Sequence, residues 1–162
     1  LIGFGRYFCE RGSLTSGWCR VMSAQGLKKS GVFVGRTVLL VEDEKITRDM
    51  LRGLLEQLGF GRVDEAADGS AALKKLDDNR YDLILCDIMM EPMDGIEFAR
   101  MLRNSGNLRF DTHKTRTKIV FLTASGEKAN IQAARGLKVQ GYMLKPVDPK
   151  VLREKLLKVF GG

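Results

Sequence analysis

Five side chains have the types and positions to handle a phosphoryl group: Glu42, Asp43, Asp87, Thr123 and Lys145. Each closes or follows a short apolar run. Val38–Val41 leads into Glu42-Asp43, Leu83–Cys86 into Asp87, Ile119–Leu122 into Thr123-Ala124, and Tyr142–Leu144 into Lys145-Pro146. Apolar runs of this length read as buried strands. In a parallel sheet their carboxyl ends meet along one edge, where such folds bind ligands. Three carboxylates gathered there repel one another unless a hard cation sits among them, and oxygen ligands of this kind suit Mg²⁺. With a hydroxyl and an ammonium beside them, the edge reads as a metal-assisted phosphoryl-transfer site.

Strand and helix signals alternate between these runs. A helix is expected over 45–58, with Ile46, Met50, Leu54, Leu55 and Leu58 at helical spacing and Gly59 as its stop. Arg62–Ala67 is a weaker strand, Asp68-Gly69 a turn, and Ser70–Leu76 a short helix. Tyr81–Asp87 is a strand, and Ile96, Phe98, Ala99 and Leu102 mark a helix after Asp94-Gly95. Lys118–Thr123 and Val139–Leu144 are strands, with a helix over Lys128–Arg135 between them. Asp148 caps a final helix. Five strands alternating with five helices give an α/β fold, a parallel sheet covered on both faces.

The 162 residues suit one domain with an extra segment, and 44% hydrophobic content can fill a core. A charged fraction of 29% and three Pro argue against a disordered chain. No run is long and apolar enough for a membrane span, and Leu1–Phe8 is no signal peptide. Cys9, Cys19 and Cys86 form no disulfide framework, and a reducing cytoplasm fits best. Residues 1–35, rich in Gly and Ser, are expected to be a flexible tail, with Met22 a candidate natural start. The net charge of +7 is concentrated there and at 104–118, where Arg109, Lys114, Arg116 and Lys118 face Asp111. No basic recognition helix or zinc finger accompanies it, so no direct nucleic-acid partner is expected.

The motifs V-L-L-V-E-D-E (38–44), D-L-I-L-C-D (82–87), M-D-G (93–95), F-L-T-A (121–124) and G-Y-M-L-K-P (141–146) occur in order at strand ends or the loops after them. Through them, residues 36–162 resemble the receiver domain of two-component response regulators, of the chemotaxis single-domain type. The resemblance implies a flavodoxin-like (βα)5 doubly wound sandwich with strand order 2-1-3-4-5. It implies Asp87 as the phosphoacceptor, a carboxylate nucleophile that takes a phosphoryl group from a histidine kinase or histidine phosphotransfer protein. Asp43 would bind Mg²⁺ directly and Glu42 through water, with the Met89 backbone carbonyl completing the protein ligands. Lys145 would reach the phosphoryl oxygens as a point charge. Pro146 matches the family proline whose preceding peptide bond is cis, a geometry that would aim Lys145 inward. Thr123 would move to donate to a phosphoryl oxygen, and Tyr142, at the switch aromatic position, would rotate into the space left. The face built from the fourth helix, last strand and last helix would then change shape and contact a downstream protein. Such a chain is a phosphoacceptor that assists only its own phosphorylation and dephosphorylation. It would work as a monomer or a phosphorylation-dependent dimer.

Departures from the family pattern carry expectations of their own. The run Met89-Met90-Glu91-Pro92-Met93-Asp94-Gly95 has its proline one place later than the common pattern, which alters the loop's fine shape. Met89 and Ser125 carry no acid or amide to orient water, so slow self-dephosphorylation is expected. Segment 104–118 is longer than most relatives need, read as a tolerated insertion ahead of a partner contact. The alternatives are a receiver fragment of a larger regulator or hybrid kinase, and a phosphorylation-independent pseudo-receiver. A haloacid-dehalogenase-type phosphatase would need a second Asp two residues past the nucleophile, where this chain has Met89.

Overall fold

The computed structural model describes residues 31–104, 109–124, 132, 134 and 136–161. Strands β1 (Thr37–Val41), β2 (Arg62–Ala66), β3 (Leu83–Asp87), β4 (Lys118–Thr123) and β5 (Gly141–Leu144) form one sheet in the order β2-β1-β3-β4-β5. Every neighbouring pair is parallel. This is the doubly wound, flavodoxin-like order that the resemblance implied. Helices α1 (Lys45–Leu58), α2 (Gly69–Asp78) and α3 (Gly95–Arg103) and a C-terminal helix (Pro149–Phe160) flank the sheet. Residues 1–30 and most of the helix expected at 128–135 lie outside the described residues.

Side-chain alternation along each strand explains the layering. Leu39, Val41, Ile84, Cys86, Ile119 and Phe121 share one core cluster with Ala72, Leu73 and Leu76 of α2 and Phe98 and Leu102 of α3. Val38, Leu40, Leu83, Leu85, Val120 and Leu122 share the other with Leu51, Leu54, Leu55 and Leu58 of α1 and Leu152 and Leu156 of the C-terminal helix. Successive apolar residues are thus needed on both faces. Each fully buried Leu or Ile contributes about 1.5–3 kcal/mol. Ile46 departs from the expected helical stripe and is 79% exposed. It sits in the first turn of α1, before the helix meets the core at Leu51. Asp68, Asp94 and Asp148 cap their helices through side-chain oxygens. Gly59 ends α1 at φ 103°, a left-handed conformation that favours glycine.

Two segments that read as loose in the sequence are packed. Gly31–Phe33, within the stretch assigned to the tail, is a 3₁₀ turn. Phe33 is fully buried, stacked on Phe60 at 4.7 Å between centroids and edge-on to Phe160 at 6.1 Å. In the 104–118 segment, Phe110 is buried and Thr112–Thr115 is one helical turn capped by Asp111. Arg109 pairs with Asp77 through two bonds of 2.7 and 2.6 Å, and Lys114 Nζ donates to the Asp77 carbonyl at 2.7 Å. Arg103 donates to the carbonyls of Thr115, Thr117 and Leu137 at 2.7, 2.7 and 2.9 Å. These bonds fasten residues 109–117 to α2 and α3.

Candidate phosphoryl-transfer site

Because β1, β3, β4 and β5 are successive neighbours, their carboxyl ends lie side by side. The register pairs Val41 with Cys86, Asp87 with Leu122 and Thr123 with Leu144. Glu42-Asp43 follow β1, Asp87 closes β3, Thr123 closes β4 and Lys145 follows β5. A carboxylate oxygen from each of Glu42, Asp43 and Asp87 lies within 4.8 Å of the others. Glu42 and Asp87 are buried and Asp43 is exposed.

Lys145 joins the two buried acids. Its Nζ donates to Asp87 Oδ2 at 2.6 Å and to Glu42 Oε1 at 3.0 Å. Glu42 Oε2 is 2.7 Å from the same ammonium as an ion pair, but it lacks hydrogen-bond geometry and is a buried oxygen with no hydrogen-bond partner. Burial raises the Glu42 carboxyl above its usual range, helped by the Asp87 charge and opposed by Lys145. Burial also pulls the Lys145 ammonium down, but its hydrogen bonds to Asp87 and Glu42 outweigh that and its pKa is raised. Lys145 is therefore a fixed cation between two carboxylates. Burial, then the charges of Asp87 and Glu42, push the Cys86 thiol well up, so it stays neutral in the core.

Supporting contacts hold the acids in place. Arg48 of α1 donates from Nη1 to the carbonyls of Glu42 and Asp43 at 2.5 and 3.1 Å, and from Nε to Glu65 at 3.2 Å. Sequence reading did not single out Arg48. Its only signal is a cation one turn into the helix that follows the acid pair. Gly95 N–H donates to the Ile88 carbonyl at 3.0 Å, drawing the loop after β3 tightly back. A Cβ at Gly95 would collide with the Asp87 carbonyl oxygen, so the position requires glycine.

The other expected residues fall around this centre. Met89 N–H donates to Asp87 Oδ1 at 3.3 Å, and its side chain is 62% exposed. The Lys145–Pro146 bond is cis, as is Glu91–Pro92 in the loop where the proline is displaced. Thr123 is buried, and its carbonyl accepts from Lys145 N–H at 2.8 Å, linking the ends of β4 and β5. Tyr142 is half-buried with its ring 5.9 Å from that of Phe121. Ser125 lies outside the described residues. The three carboxylates, one with an unsatisfied buried oxygen, offer a hard-oxygen donor set that fits Mg²⁺.

A five-stranded 2-1-3-4-5 sheet with acids and a lysine at its carboxyl edge defines a class of phosphoacceptor signalling domains. Residues 38–157 match the response regulator receiver domain family, and the chain belongs to that family, the receivers of two-component systems. It is 39% identical over 122 residues to the transcriptional regulatory protein ResD of Bacillus subtilis, covering 74% of this chain and 47% of ResD. It is 32% identical over 123 residues to the chemotaxis protein CheY of Pseudomonas aeruginosa, covering 76% of this chain and 94% of CheY. The chain thus spans about half of ResD and nearly all of CheY. Among solved structures it is similar to Vibrio cholerae CheY4, with TM-score 0.69 and 30% identity over 78% of this chain and 99% of that one. It is also similar to the receiver domain of the sensor histidine kinase PA1611 of Pseudomonas aeruginosa, solved with magnesium coordinated in its active site cleft. That match has TM-score 0.69 and 28% identity, over 80% of this chain and all of that one. No helix among the described residues is long and apolar enough to cross a membrane.

Proposed function

We propose that this chain is a cytoplasmic phosphoacceptor switch in which Asp87 receives a phosphoryl group from the phosphohistidine of a kinase or phosphotransfer protein. The observation that carries this reading is the cluster itself: three carboxylates within 4.8 Å of one another, with the Lys145 ammonium 2.6 Å from Asp87. In the transfer, an Asp87 carboxylate oxygen bonds to phosphorus as the donor's P–N bond breaks. The electron pair returns to the imidazole. Glu42, Asp43, Asp87 and the Met89 carbonyl are the residues that would hold Mg²⁺, which when bound offsets negative charge developing on the phosphoryl oxygens. Lys145 and Arg48 act before transfer by holding Asp87 and the acid loop in place. Afterwards one Asp87 oxygen is bonded to phosphorus as an acyl phosphate and the site carries a dianionic phosphoryl group. Lys145 is then drawn from carboxylate to phosphoryl oxygens, and the Thr123 hydroxyl is drawn inward as a donor. Tyr142 follows Thr123, and the face around β5 and the C-terminal helix changes for a downstream protein.

Incubation with acetyl phosphate and Mg²⁺, read by intact mass, tests the chemistry. The expected result is a gain of one phosphoryl group that is lost in Asp87→Asn and abolished by chelator. No gain in folded protein would leave a phosphorylation-independent receiver. A second reading, in which this receiver is one part of a larger response regulator or hybrid kinase, is supported by the match to about half of ResD.

A further inference from the structure

The amino ends of β1, β3 and β4 border a cleft of about 350 Å³ at the edge of the sheet opposite Asp87. Arg36, Asp82, His113, Arg116, Lys118 and Phe160 contribute to its walls. Arg36 and Lys118 lie over the Phe160 ring, 4.3 and 4.6 Å from its centroid. Their hydrogen bonds go to neutral carbonyls, from Arg36 Nε to Val32 at 2.7 Å and from Lys118 Nζ to Val159 at 2.8 Å. Neither contact cancels a charge. Asp82 is already engaged by the Thr37 N–H and hydroxyl at 2.8 and 3.1 Å, and comes no closer to Arg36 than 3.8 Å. Exposed Arg116 pairs with no carboxylate among the described residues. Nearby Arg80 and Arg109, by contrast, are matched by Asp111 and Asp77. Asp82 offsets Arg36 as an ion pair, so the unmatched positive charge of the cleft is that of Arg116 and Lys118. One wall belongs to residues 112–118, whose backbone is tied to α3 on either side of Arg116 by the Arg103 bonds to the Thr115 and Thr117 carbonyls.

We propose that this cleft docks an acidic segment of a partner protein, whose Asp and Glu carboxylates meet Arg116 and Lys118. Carboxylates suit guanidinium forks, which take them through paired hydrogen bonds. The chain's own residues 1–30 have the wrong sign to fill it, carrying Arg6, Arg11, Arg20, Lys28 and Lys29 against Glu10. The site does not involve Asp87, so its test stands apart from that of phosphorylation.

Fluorescence anisotropy of a labelled peptide of alternating Glu and Ser, titrated with the full chain at physiological salt, tests the proposal. Saturable binding is expected. Arg116→Glu, at an exposed position without an ion pair, should weaken it about tenfold or more. A Lys74→Gln/Lys150→Gln control, which removes the same amount of charge elsewhere, should weaken it by less than about twofold. Amide shifts on peptide addition should concentrate at residues 36, 82 and 112–118. Absence of saturable binding, equal loss in variant and control, or tighter binding of a single-stranded oligonucleotide than of the peptide would each overturn the proposal.

Discussion

Glu42 Oε2 is buried without a hydrogen bond, the single Lys145 ammonium lies 2.7 Å away, and that one cation serves Asp87 as well, with Asp43 close by. The cluster is therefore poised for a cation, and Asp43, the exposed member, is the place to measure it. Magnesium that binds only the folded chain stabilises it by mass action, by about 2.7 kcal/mol at a hundredfold excess over Kd. Thermal melts should show this gain in the wild type and a much smaller one in Asp43→Asn. Without magnesium, Asp43→Asn should be the more stable protein by about 1 kcal/mol, because a like charge has gone. Equal magnesium gains in both proteins would remove Asp43 from the ligand set. Glu42, Asp43, Asp87, Thr123 and Lys145 were legible because each interrupts or follows an apolar run. Arg48 was not, because its role lies in reaching back to two main-chain carbonyls, and no spacing rule describes that.

The strands were legible for a related reason. Runs such as Leu83–Asp87 are buried on both faces, so their apolar character is continuous and their length short. What escaped depended on contacts distant in sequence. Phe33 sits among glycines with no period around it, and only the rings of Phe60 and Phe160 give it a place. The 104–118 segment is polar and reads as a loop, yet Arg109 finds Asp77 on α2, a pairing that composition cannot specify. The packing of the 3₁₀ turn is testable: Phe33→Ala should cost about 3–5 kcal/mol in urea unfolding. A loss below 1 kcal/mol would mean that the turn is an appendage rather than part of the core.

Acid response belongs to the whole molecule, and Asp64 on the edge strand β2 contributes to it. Hydrogen bonds from Arg62, supported by the Tyr81 hydroxyl at 2.7 Å, hold its carboxyl below the usual range. The fold therefore favours the ionised form. Its contribution is complete above the ordinary aspartate pKa of about 3.9 and fades as pH falls through the lowered native value. Asp64→Asn should cost about 1 kcal/mol at neutral pH, and melts at neutral and strongly acidic pH should show the gap narrowing in acid. A gap independent of pH would assign the loss to packing. Phe33 and Phe160, touching edge to face, also set the polypeptide's entry to the domain beside its exit, at the amino edge of the sheet. A unit whose two gates adjoin can be spliced into a longer polypeptide without pulling its ends apart. Cargo fused at either gate would hang from the pole opposite Asp87, leaving the pole that carries Glu42, Asp43 and Asp87 clear.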